Sequence, residues 1–228
     1  RNVVRHFGGT KTKNRNYIMN QNFEGRLKHL NEKIDNTLSV LTGNYSNFTE
    51  KFTAKNYLRL KSTLSDINNI LTLKLTFNFV DTLCVKFGIS EDIKQDWKTK
   101  IDGVGPNTKG FDIEFDNPIK ILAEVKCINT ESNRFSAIQK KNLFIDAYKL
   151  KYKECKIDQA EYYKFIVVLD CGKETDNSIE SLLNYKSKIL NEERNKRMQV
   201  VNDIIFLKEN FKKEELNKDK IYIIKQSI

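Results

Sequence analysis

Histidine is nearly missing from this 228-residue chain, in which His6 and His29 stand alone. A Ser-His-Asp triad or a histidine-bound metal centre needs imidazoles brought together, so both chemistries are set aside. Cysteine is sparse as well. Cys84, Cys127, Cys155 and Cys171 lie too far apart for a C-x-x-C metal knuckle and show no disulfide-framework spacing, which leads us to expect reduced thiols in an intracellular, cytoplasmic protein. No G-x-x-x-x-G-K-[ST] loop occurs, and no nucleotide cofactor is expected. No apolar run approaches the roughly 20 residues of a membrane-crossing helix, and the basic N-terminal stretch lacks the apolar segment of a signal peptide, so no membrane partner is expected.

What the chain does contain is enough apolar material to fold. Hydrophobic residues make up 39% and aromatics 11%, sufficient for one substantial core with room for a small accessory region. Charged residues reach 31%, and the net charge is +10. The excess is uneven: residues 1–90 carry 14 Lys and Arg against 6 Asp and Glu, whereas residues 91–228 carry 26 against 24. The first 22 residues hold five basic groups and no acid. Such a distribution suits a polyanion, because lysines and arginines that neutralise phosphates release condensed counterions. A solvated tail would show the same charge pattern.

Residues 1–22 lack sustained periodicity and contain Gly8-Gly9, the mark of a basic, mobile arm. Leu27, Leu30, Ile34, Leu38 and Leu41 then recur at three- and four-residue steps, predicting an amphipathic helix that ends at Gly43. Two further helices are expected over about 53–67 and 69–87, so 23–89 reads as a helical region for binding or dimerisation. Beyond Ser90 a short capped helix, SEDIKQDWKTK, gives way to the loop DGVGPNTKG and two strand-like runs. A helix over about 134–150 follows, then the continuous apolar strand YYKFIVVLD at 162–170. Residues 177–216 read as mostly helical, with 200–207 as a possible strand, and KIYIIKQ at 220–226 closes the chain as a strand. Residues 90–228 therefore predict an α/β core, a mixed central sheet flanked by helices.

Within that core the stretch KGFDIEFDNPIKILAEVKC, 109–127, places charge inside strands. Alternation puts Leu122, Glu124 and Lys126 on one face and Ile121, Ala123, Val125 and Cys127, expected to be core, on the other. A hairpin symmetric about Pro118 sets Asp112 opposite Glu124. Two facing carboxylates repel unless a cation sits between them, and oxygen donors with room left for water and phosphate suit Mg²⁺. Lys126 would orient or help deprotonate an attacking water. A surface hairpin bearing ordinary charges is the plainer alternative. Glu114 shares the face of Asp112 and reads as a solvent-facing charge, and Trp97, the single tryptophan, as a packing residue.

Asp112, twelve positions before Glu124-Val125-Lys126, preceded by a glycine-containing loop and followed by a helix and a buried strand, resembles the PD-(D/E)XK nuclease superfamily, best known from restriction endonucleases. The likeness spans roughly 90–170, with Phe111 where the motif often has proline. It implies a restriction endonuclease-like core and Mg²⁺-dependent hydrolysis of double-stranded DNA to 5′-phosphate and 3′-hydroxyl ends. It also implies a homodimer matched to a two-fold site, in a prokaryotic cytoplasm. Asp112 and Glu124 would bind the metal and Lys126 would assist the water. Arg134, Gln139, Lys140 and Lys141 are candidates for touching DNA, and Glu91 or Asp92 for an additional acid from the preceding helix. Leu143 stands where the exonuclease branch carries a tyrosine after its glutamine, which points away from that branch. Rival readings are a non-catalytic DNA-binding module of the same fold, a junction-resolving, repair or defence nuclease, and an RNA-binding helical protein.

Overall fold

The structure, a computed structural model, describes residues 22–104, 110–128, 130, 133–152, 157–184, 200–208 and 210–228. The basic arm up to residue 21, the loop segment 105–109, Cys155 and the 185–199 part of the stretch read as helical lie outside the described residues. The chain divides into two compact units, Arg1–Leu64 and Ser65–Ile228.

In the first unit, helix α1 (Phe23–Thr42) begins where the Asn22 side chain accepts from Gly25 N at 3.0 Å and ends at Gly43 in the left-handed region, φ 68°. This follows the predicted stripe, but the stripe stays largely uncovered. Leu27, Leu30 and Leu41 are exposed, and among the described residues of this unit those that are buried are the polar Ser39 and Thr49. Polar ties connect its parts: Asp35 accepts from Thr49 N and Oγ1 at 2.8 and 2.7 Å, and the Tyr57 hydroxyl donates to Asn31 at 2.7 Å.

Helix α2 (Ala54–Phe87) is one continuous element of 34 residues rather than the two expected. Nothing in Ile67-Asn68-Asn69-Ile70 breaks it, because asparagine disfavours a helix only mildly and neither glycine nor proline intervenes. Its C-terminal part belongs to the second unit, where α3 (Glu91–Asp102), β1 (Ile113–Phe115), β2 (Ile121–Lys126), α4 (Ala137–Tyr152), β3 (Tyr163–Leu169), α5 (Lys173–Leu183), β4 (Ile204–Leu207) and β5 (Ile221–Gln226) follow. The sheet has the order β1-β2-β3-β5-β4, with β1 antiparallel to β2 and the remaining neighbours parallel. This is an α/β fold with a five-stranded mixed sheet flanked by helices; of the stretch read as mostly helical, 177–183 lies in α5, and of the possible strand at 200–207, Val200–Asp203 forms a short 3-10 helix and Ile204–Leu207 forms strand β4.

Two apolar layers cover the sheet. Leu75, Phe79 and Leu83 of α2 and Trp97 of α3 pack against Phe115, Ala123, Val125 and Phe165. On the other face Leu143, Ala147 and Leu150 of α4 and Ile179 and Leu182 of α5 meet Leu122, Ile166 and Ile223. Leu122 is fully buried, which corrects the expectation that only the Ile121, Ala123, Val125 face is core. The reason is position. β2 is an interior strand, and the helix that carries the chain across to its parallel neighbour β3 must lie over one of its faces. Glu124 and Lys126 therefore sit under α4. Among the described residues no helix is long and apolar enough to cross a membrane.

Candidate active site

The hairpin register is the symmetric one: Ile113 pairs with Ala123, Glu114 with Leu122 and Phe115 with Ile121. Continued one step, it sets Asp112 opposite Glu124. Trp97 fixes the turn, stacking on Phe115 at 4.0 Å between centroids and donating from Nε1 to Asn117 O at 3.1 Å. Asp112 lies just beyond the strand, and its Oδ2 accepts from Val125 N at 2.7 Å. A side chain thus replaces the next rung of the ladder and pins the carboxyl beside its partner on β2.

Glu124 is 3% exposed, although a lone buried carboxylate would be costly. Two ammonium groups hold it. Lys126 Nζ lies 3.2 Å from Oε2, and Lys149 Nζ, arriving from the last turn of α4, donates to Oε1. Lys126 also lies 3.3 Å from Asp146 Oδ2, off the direction of a hydrogen bond, so that contact is ionic. Lys149 in turn donates to Gly110 O and lies 4.9 Å from the centre of the Phe111 ring. Gly110 has φ 140°, a conformation that favours glycine and presents its carbonyl to the lysine.

Burial pushes the Glu124 carboxyl above its usual range, Asp112 pushes the same way, and the two lysines only partly offset them. The Asp146 carboxyl is likewise raised, chiefly by burial, against the pull of Lys126. For Lys126 burial acts to lower the pKa, but Asp146, Glu124 and Asp112 together outweigh it and raise the value. At neutral pH Lys126 is an ammonium.

Structure and sequence reading agree on the neighbourhood of Asp112, Glu124 and Lys126 and differ on the helix. Gln139 serves as a cap: its Oε1 accepts from Ser136 N at 2.6 Å while Ser136 Oγ accepts from Gln139 N at 3.2 Å, the reciprocal arrangement that starts a helix. Lys140 donates to Ser181 of α5 at 3.1 Å, and burial followed by the charge of Arg134 lowers its pKa. Arg134 and Lys141 are exposed at the same end of α4. The residues that α4 does bring to the carboxylates are Asp146 and Lys149, which sequence reasoning missed. Their signal is a charged i,i+3 pair set among Leu143, Ala147 and Leu150, apolar positions that face the sheet. Glu91 pairs instead with Lys94 at 2.5 Å and Gln95 at 2.8 Å within α3, which covers the other face of the sheet, and Asp92 is exposed. Glu114 is exposed, as expected.

Among the described residues no three histidine, cysteine, aspartate or glutamate side chains are arranged to hold a metal ion. The donor set fits a hard cation at the level of two carboxylates, Asp112 and Glu124. Mg²⁺ is commonly held by only one or two carboxylates and keeps several waters. Comparison with protein-family models, curated proteins and solved structures found no match in any of the three.

Proposed function

We propose that the protein is a Mg²⁺-dependent endonuclease hydrolysing double-stranded DNA, with a restriction endonuclease-like core and a homodimeric working form. The observation that carries this reading is the hairpin register, with Asp112 pinned by Val125 N–H beside Glu124 and Lys126 at the same strand end. Asp112 and Glu124 would hold the metal, which when bound stabilises charge on the phosphoryl oxygens and acidifies a water. The raised pKa of Lys126 favours an electrostatic role over proton acceptance. Its ammonium orients the water and donates to a phosphoryl oxygen as negative charge grows there. By the resemblance to the PD-(D/E)XK nucleases, hydrolysis would leave 5′-phosphate and 3′-hydroxyl ends.

Supercoiled plasmid is expected to be nicked or linearised with Mg²⁺ and untouched with EDTA. Asp112→Asn, Glu124→Gln and Lys126→Met should each lower the rate by about a hundredfold or more. Full activity in any one of them removes that residue from the mechanism, and a folded wild-type protein inert with both Mg²⁺ and Mn²⁺ removes the enzyme.

A second reading is favoured by one observation, the ion pairing of both Glu124 oxygens. In it the charges are structural and the chain is a DNA-binding module of the same fold. Binding would then be steeply salt-dependent but indifferent to divalent metal, with no strand cut at any protein concentration.

A further inference from the structure

We propose that Lys149 is a built-in counter-ion that occupies Oε1 of Glu124 and competes there with the divalent cation. This rests on the metal-site reading above and adds to it a residue that sets metal affinity. Lys149 Nζ is seated as a hard cation would be, between the Glu124 carboxylate and the Gly110 carbonyl, beside the Phe111 ring. Its anchor and its head differ in freedom. The helix backbone at Lys149 is fixed, its carbonyl accepting from Gln159 Nε2 at 2.9 Å, whereas the side chain is 23% exposed on a flexible four-carbon stem. Glu124, at 4%, stays where it is.

The charge count favours exchange. Three carboxylates, Asp112, Glu124 and Asp146, face two ammonium groups, Lys126 and Lys149, and leave one negative charge over. Lys126 already serves both Glu124 and Asp146, so Glu124 keeps a cationic partner when Lys149 leaves. An incoming divalent ion turns the excess to one positive charge, which a DNA phosphate neutralises, and the displaced ammonium is then free to pair with phosphate. Two cations cannot share one carboxylate oxygen at contact distance without strong repulsion. The ammonium thus weakens metal binding in the absence of DNA without abolishing it.

Mn²⁺ titration without DNA, followed by the electron paramagnetic resonance of the free ion, tests this independently of cleavage. Lys149→Met is expected to bind Mn²⁺ about tenfold more tightly than wild type, as removal of a competing charge should give. Lys149→Arg and Lys140→Met, the latter altering a lysine bonded to Ser181, should stay within about twofold. Unchanged or weaker binding by Lys149→Met, while the wild type binds Mn²⁺ and cuts DNA, overturns the counter-ion and leaves the nuclease reading standing. No Mn²⁺ binding by either protein overturns both. Where Lys149→Met does not fold, acylation of wild-type lysines mapped by mass spectrometry gives the answer. Saturating Mn²⁺ should speed labelling of Lys149 and leave Lys164, bonded to two backbone carbonyls, unchanged. Equal Lys149 rates with and without bound Mn²⁺ sink the proposal.

Discussion

Lys164 of β3 is a lysine 2% exposed, with its ammonium donating to Tyr162 O at 3.0 Å and Lys218 O at 2.6 Å. Burial pulls its pKa from 10.5 down to about 8, further lowered by Lys151 and Lys218 and opposed by Asp219 and Asp158. Because the folded value lies below the unfolded one, the folded protein pays for the charge in full below about pH 8. Between about 8 and 10.5 the unfolded chain keeps its proton while the folded one gives it up, so stability from this group rises with pH. The gain is at most about 3 kcal/mol. Lys120, Lys151 and Lys225 have raised values and act in the opposite direction, so the group must be isolated by difference. The urea-unfolding free energy of wild type minus that of Lys164→Met is expected to climb across this window. Parallel pH curves for the two proteins would refute it. The same comparison separates two kinds of buried charge: Lys164 is bonded to backbone carbonyls, whereas Glu124 is surrounded by side chains that can exchange partners.

At the level of elements, α4 divides its work between its two ends. The Ser136 and Gln139 cap fixes where the helix starts, and Asp146 and Lys149 reach the carboxylates two turns later. Gln139→Ala should therefore cost about 1 kcal/mol in thermal or urea unfolding and leave plasmid cleavage within about twofold. A hundredfold loss of cleavage without loss of stability would return Gln139 to the DNA. The distinction also shows what the sequence could and could not disclose. Strand period two and a short turn at Pro118 determine which residues face each other, so Asp112 opposite Glu124 was legible. Which turn of α4 lies over β2 depends on the crossover and on Leu143, Ala147 and Leu150 docking on the sheet, contacts far apart in sequence. Lysine and glutamine near the start of the helix therefore looked like the nearest candidates, and the i,i+3 pair further on did not. The burial of Leu122 was missed for the same reason, because single-strand alternation cannot tell that a helix covers the second face. The continuity of α2 was missed locally: the boundary set between the two expected helices, at Asn68, holds neither glycine nor proline, and the helix runs through it.

For the whole molecule, the division at Leu64 and Ser65 separates a unit with an apolar core from one whose described residues bury no apolar side chain. Every described apolar side chain classed as buried lies at Leu75 or beyond, while Leu27, Leu30, Val40 and Leu41 of α1 and Leu58 of α2 are exposed. A 20-residue helix is marginal in water when its apolar stripe is uncovered, so α1 gains most by packing that stripe. A second copy of the chain is the occupant that the proposed function points to, since two active sites related by a two-fold axis would match a two-fold DNA site. Sedimentation of the intact protein should accordingly give the mass of a dimer. The double variant Leu27→Glu, Leu30→Glu should give a monomer that still nicks supercoiled plasmid but forms linear product many-fold more slowly. Its Mn²⁺ affinity should match wild type, because both substitutions lie outside the unit that carries Asp112 and Glu124. A wild-type protein that sediments as a monomer at its highest soluble concentration, yet cuts both strands in one encounter, would show that this stripe has no part in dimerisation. Loss of Mn²⁺ affinity together with dimerisation would instead mean that the first unit supports the fold of the second.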